Sequence, residues 1–268
     1  MAPQEVEDLA GQWRADLASW AIPPEILEQA EEPPWVHPVA MFVAADEIPD
    51  SPSHRAARMA IPAGGTVLDV GCGGGRSVLA VAPPAATVIG VDEQQGMLDA
   101  FADAATRRGL VHHEFQGVWP DVAPVVPQAD VVVCHHVAFN VPDIVPFLEE
   151  LDAHARHRVV LELPMHHPQS NLNDLWRRFW GVVRPTRPSA MDLVAIAREL
   201  GFDAQFAAWQ DESFGNRSSV NPDEFAEHTR KRLCLPAERQ AEVAAALAES
   251  GTTKPRELVT IWWDVSRG

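Results

Sequence analysis

Four of the five residues from 71 to 75 are glycine, in the run Val67-Leu68-Asp69-Val70-Gly71-Cys72-Gly73-Gly74-Gly75-Arg76. The apolar residues before them read as a buried strand, and Arg76 to Val81 reads as a short helix stopped by Pro83-Pro84. Glycines at a strand-to-helix turn allow a tight backbone reversal and let a ligand press against bare main chain. A second apolar run, Val88-Ile89-Gly90-Val91, ends at Asp92, 21 residues after Gly71. A carboxylate in that place sits beside the crevice at the strand ends, where it can accept hydrogen bonds from both hydroxyls of a ribose. Strand, glycine turn, helix, strand is the opening of a parallel sheet covered on both faces.

The alternation continues. Gln95 to Arg108 has Met97, Leu98, Phe101, Ala102 and Ala105 on one face and Gly109 as a stop. A weak strand follows at 111–115 and a strong one at Asp130-Val131-Val132-Val133-Cys134. Asp143 to His154 is helical, and Arg158-Val159-Val160-Leu161-Glu162-Leu163 is a fifth strand. Ala204 to Trp209 and Glu257 to Val265 complete the strands. Ser51-Pro52 reads as an N-cap and first helical residue, and Ser189 with Asp192 as a capping box. The expected fold is α/β, a doubly wound, mostly parallel seven-stranded sheet with accessory N-terminal and inserted helices. Residues 1–60 are expected to form a helical cap and 61–268 a Rossmann-like domain, with lid helices at about 166–188 and 213–252.

Two cofactor classes use such a loop. The dinucleotide fingerprint G-x-G-x-x-G, started at Gly71, requires glycine at 76, where Arg76 stands. A pyrophosphate also needs free amides at the helix N-terminus. S-adenosylmethionine carries no phosphate, and its cationic amino group favours a loop led by an acid such as Asp69. The chain here resembles the class I S-adenosylmethionine-dependent methyltransferases, whose first motif is an acid-x-G-x-G-x-G loop. Asp69-Val70-Gly71-Cys72-Gly73-Gly74-Gly75 matches its defining positions. Val88 to Asp92 followed by Met97-Leu98 resembles the second motif, and Asp130 to His136 the fourth-strand motif. The resemblance covers roughly residues 51–165 and implies that the last strand inserts antiparallel.

The resemblance further implies that Gly71, Cys72 and Gly73 contact the methionine portion and Asp92 the ribose. It places Glu93 and Met97 near the adenosine, and Gly117, Val118 and Trp119 facing the adenine. Val118 departs from relatives that carry an aspartate there. The cofactor expected is S-adenosylmethionine and no metal. A nicotinamide-dependent oxidoreductase and a non-catalytic S-adenosylmethionine-binding regulatory protein are the alternatives.

Methyl transfer asks for alignment and exclusion of water, with a general base as an option. Ligands of open α/β sheets bind beyond the C-terminal strand ends, which makes His135-His136 and His166-His167 the candidates. Side chains alternate along a strand, so one member of each pair faces the pocket. His136 is the favoured base and His135 the residue nearer the methionine end. Leu172, Leu175, Trp176, Phe179 and Trp180 form a stripe at helical spacing, a candidate pocket wall or ordinary core. Trp13 and Trp20 are candidates for the opposing wall.

Charge and composition narrow the partner. With 38 acidic and 21 basic residues the formal charge is −17, which disfavours nucleic acid and anionic lipid. No stretch reaches the roughly 18 apolar residues of a membrane span. Three cysteines without a CxxC pair point away from a disulfide framework or zinc ribbon and toward a reducing cytoplasm. The expected partner is a small-molecule methyl acceptor.

Overall fold

The computed structural model describes residues 3–34, 48–212, 221–250 and 256–265. Parts of the expected cap and of the second lid segment, including 35–47, 213–220 and 251–252, lie outside the described residues. Seven strands are present: β1 (Thr66–Val70), β2 (Thr87–Asp92), β3 (Val111–Gln116), β4 (Ala129–His135), β5 (Ala155–Pro164), β6 (Gln205–Asp211) and β7 (Arg256–Asp264). They form one sheet in the order β3-β2-β1-β4-β5-β7-β6. The first five strands run parallel, and β7 inserts antiparallel between β5 and β6. This is the doubly wound, mostly parallel seven-stranded arrangement expected from the alternating periods.

Alternation along the strands divides the core in two. Leu68, Val70, Val132, Cys134, Val159 and Leu161 face one side, where helices α1 (Pro3–Ala18), α6 (Ile144–His154) and α8 (Ala190–Glu199) cover them. Val67, Val131, Val133 and Val160 face the other, beneath α3 (Pro52–Arg58), α4 (Arg76–Leu79) and α5 (Gln95–Arg107). Strands buried on both faces are uniformly apolar, which is why β1, β4 and β5 lack a polar alternation. Exceptions inside such runs are therefore informative. Asp69, His135 and Glu162 share the second face, by the same two-residue period.

The chain ends of the helices follow local chemistry. The Ser51 hydroxyl caps α3 by accepting from His54 N–H at 3.1 Å. At α8 the capping box joins Ser189 and Asp192 reciprocally. A third cluster lies apart from the sheet. It joins α2 (Pro24–Leu27), α7 (Asn173–Trp180), α9 (Pro222–Arg232) and α10 (Gln240–Ser250) through Ile22, Ile26, Leu175, Trp176, Leu235 and Val243. Trp176 is fully buried there. The aromatic stripe thus belongs to the core of this helical layer.

Candidate active site

The glycine loop leaves β1 with Gly71, Gly73 and Gly75 all at positive φ, +73°, +49° and +84°. At Gly71 both conformation and space exclude a side chain, because a Cβ would lie 2.3 Å from Val137 Cγ2. Val137 belongs to the segment after β4, so the two banks of the crevice are in contact here. Cys72 is buried with its Sγ turned toward Gly90 and α5, so only its main chain is open to a ligand. Burial pushes its thiol pKa well up, which keeps it protonated.

Asp92 closes the loop from the end of β2. One carboxylate oxygen accepts from Gly73 N–H and the other from Gln94 N–H, both at 3.0 Å. Each oxygen keeps a further lone pair for a ligand donor. Glu93 is exposed, and its carbonyl accepts from Gln116 at 3.1 Å. Met97 is buried in the first turn of α5. Gly117 N–H donates to the Asp92 carbonyl at 3.0 Å, and Val118 is 56% exposed on the same rim. Trp119 departs from the expectation. Its indole turns into the core, donating to the Phe147 carbonyl and meeting His154 edge-on at 4.8 Å. The turn after β3 thus offers Gly117 and Val118, not the Trp119 ring, to the crevice.

Asp69 is completely buried below the loop, so its carboxylate does not line the crevice surface. It accepts from the Ser77 hydroxyl and the Val78 N–H at the start of α4, while Oδ1 has no hydrogen-bond partner. Burial raises its pKa to about 7, against the pull of those two donors and with help from Asp92. One amide and one hydroxyl of the first turn of α4 are thus taken up by a carboxylate beneath the loop, and a second carboxylate, Asp92, lies beside it.

The segment after β4 carries the histidines. His136 adopts φ +63°, a left-handed conformation that an L side chain holds only when the surroundings impose it. The reversal sets its ring against Glu162, with Nε2 3.1 Å from Oε1 and 45% of the side chain exposed. His135 is buried, with Nδ1 3.9 Å from the same carboxylate oxygen and its ring stacked on His54 of α3 at 5.7 Å. Burial lowers the His135 pKa to about 3 and also lowers that of His54, so both are neutral near pH 7. Burial acts upward on Glu162, but the His136 ring and the Ser53 hydroxyl outweigh it and hold the carboxyl well below its usual range. Glu162, His54 and Ser53 were not among the residues singled out from the sequence. The available signal was a carboxylate inside an apolar strand, a placement too costly to persist without partners.

On the opposite face of the sheet, Arg14, Leu17, Phe139, Asn140, Pro142 and His167 line a cleft of about 270 Å³. His167 is buried, stacked on Trp20 at 4.0 Å and edge-on to Phe139 at 5.5 Å. Burial, reinforced by Arg184, lowers its pKa to about 4. His166 is exposed and forms a β-bridge with Ser189. Among the described residues no cluster of His, Cys, Asp and Glu is arranged to hold a metal ion.

These buried groups give stability a definite pH dependence. His135 and His167 titrate at about 3 and 4 when folded and near 6.5 when unfolded, so the unfolded chain takes up their protons first as pH falls. Their contribution is complete above pH 6.5 and declines below it. Asp69 has the opposite sign, since the folded state keeps a proton up to about pH 7 that the unfolded chain releases near 3.8. Lowered histidines (His54, His135 and His167) outnumber the raised Asp69, so unfolding free energy is expected to fall as pH drops from 6.5 to 4. Urea denaturation across that range measures it, and a flat profile would contradict the assignment.

Comparison with known proteins places the domain. Residues 67–158 match a family model described as a methyltransferase domain. An uncharacterized protein of Haemophilus influenzae is 44% identical over 69 residues, a match that spans a quarter of this chain and a quarter of that protein. Among solved structures, YcgJ of Bacillus subtilis superposes with a TM-score of 0.53 at 20% identity, covering 81% of this chain and 98% of its own. Coclaurine N-methyltransferase, solved with N-methylheliamine and SAH, gives 0.51 at 13% identity, covering 98% of this chain and 89% of its own. YjhP of E. coli gives 0.50 at 16% identity over 90% of this chain and all of its own. Residues 67–158 thus match a methyltransferase domain model, and the sheet shares its fold with the solved structures it superposes on, coclaurine N-methyltransferase among them.

Proposed function

We propose that the chain is an S-adenosylmethionine-dependent methyltransferase acting on a small, partly apolar O- or N-acceptor. The carrying observation is the pair of acids at the glycine loop, Asp69 with its unpartnered Oδ1 and Asp92 with lone pairs to spare. The Asp92 carboxylate beside the loop favours a cationic sulfonium and ammonium and opposes a pyrophosphate, which argues against the nicotinamide alternative. When bound, S-adenosylmethionine supplies a methyl group already activated on sulfur.

The residues then divide the work. The main chain of Gly71, Cys72 and Gly73 receives the methionine portion, above the buried Asp69. Asp92 accepts from the ribose hydroxyls. Glu93, Met97, Gly117 and Val118 border the adenosine, and His135 stands behind the methionine end. His136, exposed beyond β4, takes the proton that the acceptor gives up. The negative charge of the chain favours a small acceptor over a nucleic acid.

Calorimetric titration separates the readings. S-adenosylmethionine is expected to bind saturably with a dissociation constant in the micromolar range, and NAD to give no heat. Saturable NAD binding without S-adenosylmethionine binding would overturn the proposal. Incubating the protein with methyl-labelled S-adenosylmethionine and a panel of small phenols and amines distinguishes an enzyme from a regulatory cofactor-binding protein.

A further inference from the structure

The chemistry of Glu162 extends this reading. Its carboxylate is nine-tenths buried in the sheet yet has a partner on every side. Oε1 lies 3.1 Å from His136 Nε2, and Oε2 accepts from the Ser51 hydroxyl at 3.3 Å. Ser53 adds a second hydroxyl and is itself tied to Thr260 of β7 at 2.7 Å. The Glu162 carbonyl also accepts from His136 N–H at 2.6 Å. One glutamate thus grips His136 at both main chain and ring, and that double grip matches the left-handed φ of His136.

We propose that Glu162 is the positioning residue of the acceptor site, holding His136 as the Nε2–H tautomer so that Nδ1 is the atom that takes the acceptor's proton. The proposal rests on His136 being the base of the reaction proposed above. An ionised carboxylate only accepts hydrogen bonds, so the ring nitrogen facing it must carry hydrogen. A neutral imidazole has one N–H, which leaves the lone pair on Nδ1. Among the described residues no hydrogen bond of the protein engages His136 Nδ1. In the proton transfer the acceptor's X–H bond breaks and its electron pair stays on X. The proton forms a bond to Nδ1, and the resulting imidazolium faces the Glu162 anion. His135, neutral and with Nδ1 3.9 Å from the same Oε1, adds no competing charge.

Nitrogen-15 NMR of the ligand-free protein at mildly alkaline pH tests this without cofactor or acceptor. The His136 ring, assigned through His136→Asn, is expected to be in the Nε2–H form, with a low-field N–H proton protected from solvent exchange. Glu162→Gln is expected to abolish that resonance, since the amide replaces a charged acceptor. A proton on Nδ1 in the wild type, or an unchanged low-field resonance in Glu162→Gln, would overturn the proposal. If Glu162→Gln does not fold, the wild-type spectrum decides, and the absence of a protected Nε2–H overturns it. Calorimetry with S-adenosylmethionine on the same wild-type sample reports separately on the cofactor reading.

Discussion

Asp92→Ala is expected to weaken S-adenosylmethionine binding at least about a hundredfold, the equivalent of about 2.7 kcal/mol. Two losses combine. The ribose hydroxyls lose a charged acceptor, where each such hydrogen bond is worth roughly 1.5–3 kcal/mol. The glycine loop also loses the bonds from Gly73 and Gln94 that fix its shape before any ligand arrives. Asp92→Asn is expected to be no milder, although it keeps size and one acceptor. Both oxygens face main-chain N–H donors, so the amide nitrogen of asparagine would point donor against donor. Isothermal titration with S-adenosylmethionine, alongside far-UV circular dichroism to confirm folding, makes the measurement. An affinity within threefold of wild type in either variant would remove Asp92 from the site.

The largest expected stability effect belongs to Trp13→Ala. Trp13 is 1% exposed, packs in the same cluster as β1, β4 and β5, and lies nearly parallel to Phe139 at 5.7 Å. Its indole N–H donates to the Val141 carbonyl at 2.8 Å, pinning α1 to the segment that follows β4. Truncating a buried tryptophan costs about 3–5 kcal/mol, because the cavity closes only in part. For a chain of this size that corresponds to a fall in Tm of about 10 °C. Thermal unfolding followed by circular dichroism checks it, and a loss below 1 kcal/mol would show that α1 is not anchored there. The same anchor holds Leu17 over the cleft beside Phe139, so the variant is also expected to loosen that wall.

The sheet was legible in the sequence wherever burial is two-sided. Val67 to Val70, Val131 to Cys134 and Val159 to Leu163 have little choice of partner other than a sheet covered on both faces. The β3 run Val111-His112-His113-Glu114 is polar and one-sided, as an edge strand tolerates, and so gave a weaker signal. The antiparallel direction of β7 came from the family resemblance, since its composition does not distinguish direction. At the site, Gly71 and Asp92 could be recognised because backbone freedom and a strand-end carboxylate leave a mark at fixed spacing. The orientations of Trp119 and Trp176 could not, because an aromatic side chain at the right period fits a cavity wall and a core equally well. Glu162 and Ser53 meet only through the packing of α3 against β5 and β7, more than a hundred residues apart along the chain.

Placing β7 between β5 and β6 has a consequence for how the molecule is made. Gln205–Asp211 bonds to no strand except Arg256–Asp264, which leaves the ribosome about fifty residues later. At about 5–20 residues per second, β7 follows β6 by several seconds, so β6 is made, after the parallel half, before the strand it pairs with. β7 is the keystone of the sheet, and Thr260 within it also secures Ser53 of α3, joining segments some two hundred residues apart in one act.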